Sequence, residues 1–224
     1  MKLISACALL AITTLALTIT VFSQKGGKPA KPTPTPTPTP VATPPPVTSG
    51  PGSLDTTFGQ NGRVLYQPSL PNGGTPVHRR SVLQSDGKIV TLLQYGQGGV
   101  QNLLSRLNSD GTLDETFGEG GYVYMSWGGT GSGYAFEMTK QIVNGEERFV
   151  VGGWQPCGRT NCLRAERYSG TAAFDPTFGT EGVTSVAVNS AGSMTVQPAD
   201  QKIIIVNGAG VVIRLTAAGL VDTS

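Results

Sequence analysis

Charge is scarce in this 224-residue chain: Asp, Glu, Lys and Arg together make up 13% of it, against roughly 25% in ordinary domains. That excludes a coiled coil, a charged helical bundle and a charge-driven disordered chain. Histidine is nearly absent, with His78 alone, so no serine triad with a second base can be drawn around it. No GxSxG, HExxH or phosphate-loop pattern occurs. A basic face is missing too. The formal charge of +2 depends on Lys2, Lys25, Lys28 and Lys31. Residues 52–224 keep 16 − 4 = 12 basic residues against 14 acidic ones, near −2. Nucleic-acid binding needs a basic patch, and the short run His78-Arg79-Arg80 is read as ordinary strand or loop.

Glycine, by contrast, is abundant, and 28 of the 31 glycines follow residue 51. The first 51 residues differ in kind. Met1-Lys2 and the uncharged stretch 3–23 have the order of a secretory signal peptide, with Ser23 at the cleavage position. An uncleaved anchor is the alternative, because about 20 apolar residues span a bilayer. Residues 24–51 hold the Thr-Pro alternation of 33–40 and Pro44-Pro45-Pro46. Proline fixes φ and removes an amide donor, so this segment reads as a stiff, disordered spacer rather than helix or sheet. The expected address is extracellular or cell envelope, with membrane contact only through an uncleaved leader.

Of three cysteines, Cys7 lies in the leader. Cys157 and Cys162 have four residues between them, and in an exported chain they read as a disulfide closing a hairpin loop, with free thiols as the alternative. A metal site would need more ligands, and His78 is 79 residues upstream of Cys157. No metal and no cofactor are expected.

The informative feature is a repeat. Leu54-Asp55-Thr56-Thr57-Phe58-Gly59-Gln60-Asn61-Gly62 returns as Leu113-Asp114-Glu115-Thr116-Phe117-Gly118-Glu119-Gly120-Gly121 and as Phe174-Asp175-Pro176-Thr177-Phe178-Gly179-Thr180-Glu181-Gly182, at spacings of 59 and 61 residues. Arg106, Arg167 and Arg214 each stand eight residues before an aspartate (Asp114, Asp175, Asp222). Such a period calls for an array of supersecondary units. Ser85-Asp86-Gly87-Lys88 and Val143-Asn144-Gly145-Glu146 are hairpin signals, whereas Asp200-Gln201-Lys202 lacks the turn glycine. Gly52 and Gly111 stand three residues before the motif aspartate, but Gly170 stands five before Asp175.

Each unit parses into four strands. The first strands are expected at 62–67, 121–127 and 183–188, and the second at 77–84, 134–142 and 193–197. The third are expected at 88–94, 148–154 and 202–206, and the fourth at 102–107, 162–168 and 211–216. Four strands per repeat is the blade of a β-propeller. The units span 52–110, 111–170 and 171–219, with a truncated fourth from 220, so 52–224 forms one repeat domain. Residues 219–224 repeat the opening of the motif, and the natural polypeptide is expected to continue with Phe-Gly. The fold class is therefore all-β: a partial propeller of about three four-stranded antiparallel blades plus the start of a fourth.

In this reading Asp55, Asp114 and Asp175 accept amide hydrogens from the residues two and three ahead. Phe58, Phe117 and Phe178 wedge between sheets. Gly59, Gly62, Gly118, Gly121, Gly179 and Gly182 permit left-handed backbone or close approach. Recurrence in every unit argues against catalysis by the aspartates, and calcium would want six or more oxygens. Glu146-Glu147 reads as a solvated hairpin tip.

The run Gly-x-Leu-Asp-x-x-Phe-Gly-x-x-Gly of 52–62, the Asp86-to-Val90 hairpin and the Arg-Leu-Asn-x-Asp-Gly lead-in of 106–111 resemble the delta-60 repeat family of bacterial β-propeller-like proteins. The resemblance implies an exported repeat module without a settled activity. The expected function is non-enzymatic binding or scaffolding, with a protein or glycan partner and no nucleic acid. One alternative is carbohydrate binding by stacking on Tyr122, Tyr124, Trp127, Tyr134 and Trp154. Another is an enzyme of lyase, hydrolase or dehydrogenase type whose site needs further blades.

Overall fold

The computed structural model describes residues 50–65, 68, 70, 75–96, 101–127, 133–188 and 192–224. The expected leader, Cys7 and nearly all of the proline-rich spacer lie outside these residues. Among the described residues no helix is long and apolar enough to cross a membrane, and the ordered elements are eleven β-strands.

The strands form three antiparallel sheets. The first is β1 (Val77–Leu83), β2 (Ile89–Tyr95), β3 (Gln101–Leu107) and β4 (Tyr122–Met125), paired in that order. The second is β5 (Tyr134–Val143), β6 (Glu146–Cys157), β7 (Thr160–Ser169) and β8 (Val183–Val186), paired likewise. The third holds β9 (Ser193–Val196), β10 (Ile203–Val206) and β11 (Val212–Leu215), with β10 in the middle. No sheet closes on itself. β1 lies beside β5, and β5 beside β9, so the leading strands of successive sheets are neighbours.

Sheet and repeat are out of phase. The motif of Leu113–Gly121 falls between β3 and β4 and that of Phe174–Gly182 between β7 and β8, so both sit inside a sheet, before its last strand. Unit boundaries placed at 110 and 170 therefore cut across sheets. This explains one departure from the sequence reading. A first strand was expected at 62–67, yet the described part, 62–65, is no strand and makes only the isolated bridge Gly59–Arg63. Its counterpart β4 is held by β3, whereas Arg63 has no such preceding strand among the described residues.

Burial follows position. β2 reads Ile-Val-Thr-Leu-Leu-Gln-Tyr with little polar alternation and is covered on both faces. β1, an edge strand, is mostly exposed and carries His78, Arg79 and Arg80. Charge on an edge discourages pairing with another chain. Two cores result. Val90, Leu92 and Leu104 of the first sheet meet Met138, Phe149 and Val151 of the second. Val150, Leu163 and Ala165 on the other face of the second sheet meet Ile203, Ile205 and Leu215 of the third.

The turns supply the rest. Asn144 (φ 52°) and Gly145 (φ 81°) give the left-handed pair of a two-residue hairpin. Where the glycine is missing, Gln201 takes φ 59° itself, and its Oε1 accepts the Ile142 amide at 2.7 Å. Cys157 and Cys162 form a disulfide across the β6–β7 hairpin, with Cα atoms 5.7 Å apart.

Candidate functional site

The repeated motif brings together the side chains that recur in the sequence. In its second copy the Oδ1 of Asp114 accepts the Thr116 amide at 3.1 Å and the Thr116 hydroxyl at 2.6 Å. The amide three residues ahead behaves otherwise than expected: Phe117 N–H donates to the Asp114 backbone carbonyl, at 3.1 Å. That leaves Oδ2 free for cations, and it accepts from Arg106 Nε and Lys88 Nζ, both at 2.7 Å. Arg106 then lies over the Phe117 ring, 4.7 Å from its centroid, and Phe117 is fully buried.

The third copy repeats this around Asp175. Thr177 donates its amide and hydroxyl at 3.0 and 2.6 Å, Arg167 Nε donates at 2.8 Å, and Arg167 covers fully buried Phe178 at 4.9 Å. Asp222 is held likewise by Ser224, Arg214 and Lys202. Asp55 has the Thr57 contacts but no arginine among the described residues, and Phe58 is only half-buried. The difference has the cause given for 62–65: the first motif has no sheet of its own to close.

Arg106 and Arg167 also reach the next turn, beyond their own motif. Arg106 Nη1 donates to the Gly170 carbonyl at 2.6 Å, and Arg167 Nη1 to the Ala217 carbonyl at 2.8 Å. Gln84 and Gln141 accept from the same guanidinium groups, at 3.3 and 3.0 Å. These glutamines went unread in the sequence, although Gln84, Gln141 and Gln197 recur at spacings of 57 and 56 residues. The turn that ends on each motif rests on the preceding phenylalanine. Gly111 lies against Phe58 and Gly219 against Phe178. Ala172, in the same core as Phe117, fills the equivalent place with φ 86°, so the missing glycine three residues before Asp175 is replaced by a left-handed alanine.

Gly118 and Gly121 show why the motif needs glycine. Gly118 has φ +59°, and a Cβ there would run into the Tyr122 carbonyl. Gly121 has φ +96°, and a Cβ would lie 2.8 Å from Leu113 Cδ1, so the apolar residue that opens the motif packs on the glycine that closes it. Gly118→Ala is expected to lower stability by at least about 1–2 kcal/mol, the cost of left-handed backbone at a residue with a Cβ. Chemical denaturation measures it, and an unchanged midpoint would contradict the packing.

Electrostatics follow the geometry. Burial opposes ionisation of Asp114, but the hydrogen bonds from Lys88 and Thr116 and the Arg106 charge outweigh it and hold its carboxyl well below the usual range. Asp175 is lowered in the same way, against burial, by Thr177 and Arg167. Carboxylates fixed as anions in ion pairs are poor proton donors or acceptors near neutrality.

Between the ends of the first two sheets lies a polar cleft of about 580 Å³, lined by Lys88, Arg106, Glu147, Arg148, Ser169 and Gly170 among others. Glu147 corrects the hairpin-tip reading. Glu146 is exposed, but Glu147 accepts from Lys140 (2.8 Å), the Ser85 amide (3.0 Å) and Gln84 (3.3 Å), tying the second sheet to the first. Arg80 does the same through Glu137, at 2.6 and 2.9 Å. Burial opposes the Glu147 charge, yet the donors from Lys140, Gln84 and Ser85 keep its pKa low.

His78 Nε2 lies 2.8 Å from Ser81 Oγ, on an exposed strand. No carboxylate orients the ring among the described residues, so the pair lacks the third member of a triad. Among the described residues no cluster of three or more His, Cys, Asp or Glu is placed to hold a metal. The five aromatics do not form one platform. Trp127 is core, Tyr134 and Trp154 stack on each other at 4.6 Å, and Tyr124 stands 45% exposed.

No family model, no curated protein and no solved structure matches this chain.

Proposed function

We propose that the chain is an exported, non-enzymatic repeat module of the delta-60 type, its sheets arranged as propeller blades, that binds or scaffolds outside the cell. The observation that carries this reading is the fate of the motif carboxylates. Asp114 and Asp175, the recurring groups that could do acid–base chemistry, are engaged by arginine and threonine in the same inter-sheet lock. The Cys157–Cys162 bond suits an oxidising compartment. A repeat array offers an extended surface for a protein or glycan partner, and a stiff N-terminal spacer would hold it away from a membrane.

A sugar-binding reading has one specific observation in its favour, the half-buried Tyr134–Trp154 stack near the exposed β6–β7 hairpin. One experiment addresses both. The full chain is applied to arrayed polysaccharides and extracellular proteins, and each bound species is recovered and analysed. Saturable binding with the partner returned chemically intact is expected. Release of new reducing ends or any other product would overturn the non-enzymatic reading. Loss of glycan capture in Trp154→Ala would assign the stack as the contact.

A further inference from the structure

Asn-Gly pairs stand at 61–62, 72–73, 144–145 and 207–208, and the second of them lies outside the described residues. The dipeptide has a chemistry of its own. The glycine amide nitrogen can attack the carbonyl carbon of the asparagine side chain, because a glycine has no Cβ to shield it. The sequence offers this reaction equally at each pair, so any difference between the three described pairs is made by the fold.

At 61–62 the nucleophile is engaged. Gly62 N–H donates to the Phe58 carbonyl at 2.8 Å. A Cβ on Gly62 would stand 2.6 Å from Leu54 Cβ and 2.9 Å from the Asp55 carbonyl oxygen, so this amide is packed into the motif turn. At 207–208 the electrophile is engaged. Asn207 is buried, and its Oδ1 accepts the Ala209 amide at 3.0 Å and the Val211 amide at 2.8 Å. Neither pair can form a ring without first breaking hydrogen bonds. Asn144-Gly145 has neither restraint. Both residues are exposed at the tip of the β5–β6 hairpin. Among the described residues the Gly145 amide and the Asn144 side chain have no hydrogen-bond partner. No atom lies within 4 Å of the place a Gly145 Cβ would take, so there is room for the ring.

We propose that Asn144 is a modification site, the one described Asn-Gly pair at which the folded chain leaves spontaneous loss of the side-chain amide open. The Gly145 nitrogen gives its proton to solvent and forms a bond to Asn144 Cγ. The Cγ–Nδ2 bond breaks, and Nδ2 takes a proton from solvent and leaves as ammonia. Water then opens the cyclic imide at one of its two carbonyls. One opening gives aspartate, and the other gives isoaspartate, whose main chain runs through the former side-chain carboxyl carbon. In sum one water is consumed and one ammonia released, and nothing is oxidised or reduced. Either product carries a new negative charge. Gly145, Glu146 and Glu147 line the polar cleft between the first two sheets, so the charge arises at the rim of that cleft.

The test compares the three pairs within one molecule. The purified full chain is incubated in mildly alkaline buffer, once folded and once unfolded in urea, and its peptides are mapped by mass spectrometry with an assay for isoaspartate. In the folded chain Asn144 is expected to convert at least about fivefold faster than Asn61 or Asn207, since each hydrogen bond that must open at those pairs is worth a factor of about five. In urea the three are expected to convert at similar rates. A smaller ratio in the folded chain, including no conversion at Asn144, overturns the inference. The same ratio in urea also overturns it, because the selectivity would then belong to the sequence and not to the fold.

Discussion

Phe117→Ala is expected to destabilise the protein by about 3–5 kcal/mol, the usual cost of emptying a fully buried phenylalanine site. The ring is 0% exposed and shares a core with Val90, Leu92 and Leu104 from one sheet and Phe149 and Val151 from the next. Its neighbours are strands pinned by backbone ladders, so the cavity cannot collapse readily. The variant also removes the ring face beneath Arg106, 4.7 Å from the guanidinium carbon. Phe58→Ala is the control, because its ring is only half-buried and belongs to no internal junction. Urea unfolding of both variants measures the contrast. Equal and small losses would mean that the phenylalanines do not join sheets.

Asp114→Asn is expected to cost about 3–5 kcal/mol at neutral pH, because removing one partner of a buried ion pair leaves the other charged and uncompensated. Side-chain exposure is 7% for Arg106 and 4% for Asp114, so solvent does little to screen the loss. The pH dependence carries the signature. The carboxyl is lowered in the folded state, so the folded protein binds fewer protons than the unfolded chain in acid. Its contribution is complete above the unfolded value of about 4 and is lost as pH falls from there toward the lower folded value. Melting temperatures of the wild type and Asp114→Asn are therefore expected to differ most at neutral pH and to converge below about pH 4. A constant difference across that window would show that the carboxylate charge is not what holds Arg106.

Much of the architecture was legible in the sequence. The Asp86-Gly87 and Asn144-Gly145 turns placed β1–β2 and β5–β6, and the repeat placed their partners. The identity of the lock was legible too, since Asp, Phe, Gly and the arginine eight residues upstream recur together. What could not be read was the phase. A period states how often a pattern returns and not where a sheet is cut, so the strands after the second and third motifs belong to the sheet before them and not to the unit they open. Gln84 and Gln141 were invisible for another reason: a glutamine before a turn looks solvated until an arginine from a different strand is seen to bury it. Glu147 was misread similarly, because its donors Lys140, Gln84 and Ser85 come from two sheets. Ala172 escaped because left-handed backbone is expected of glycine, and only the turn from Ser169 to Ala173 shows which residue carries it.

The offset between motif and sheet has a mechanical consequence. Chain leaving the first sheet toward the second passes through β4, which is itself laddered to β3 over four residue pairs from Asn102–Met125 to Ser105–Tyr122. Tension passed from the first sheet to the second therefore loads the β3–β4 ladder, and tension passed on to the third loads the β7–β8 ladder, so backbone hydrogen bonds as well as side chains bear the pull. A pull on either end is thus shared between the last ladder of a sheet and the packed side chains beside it.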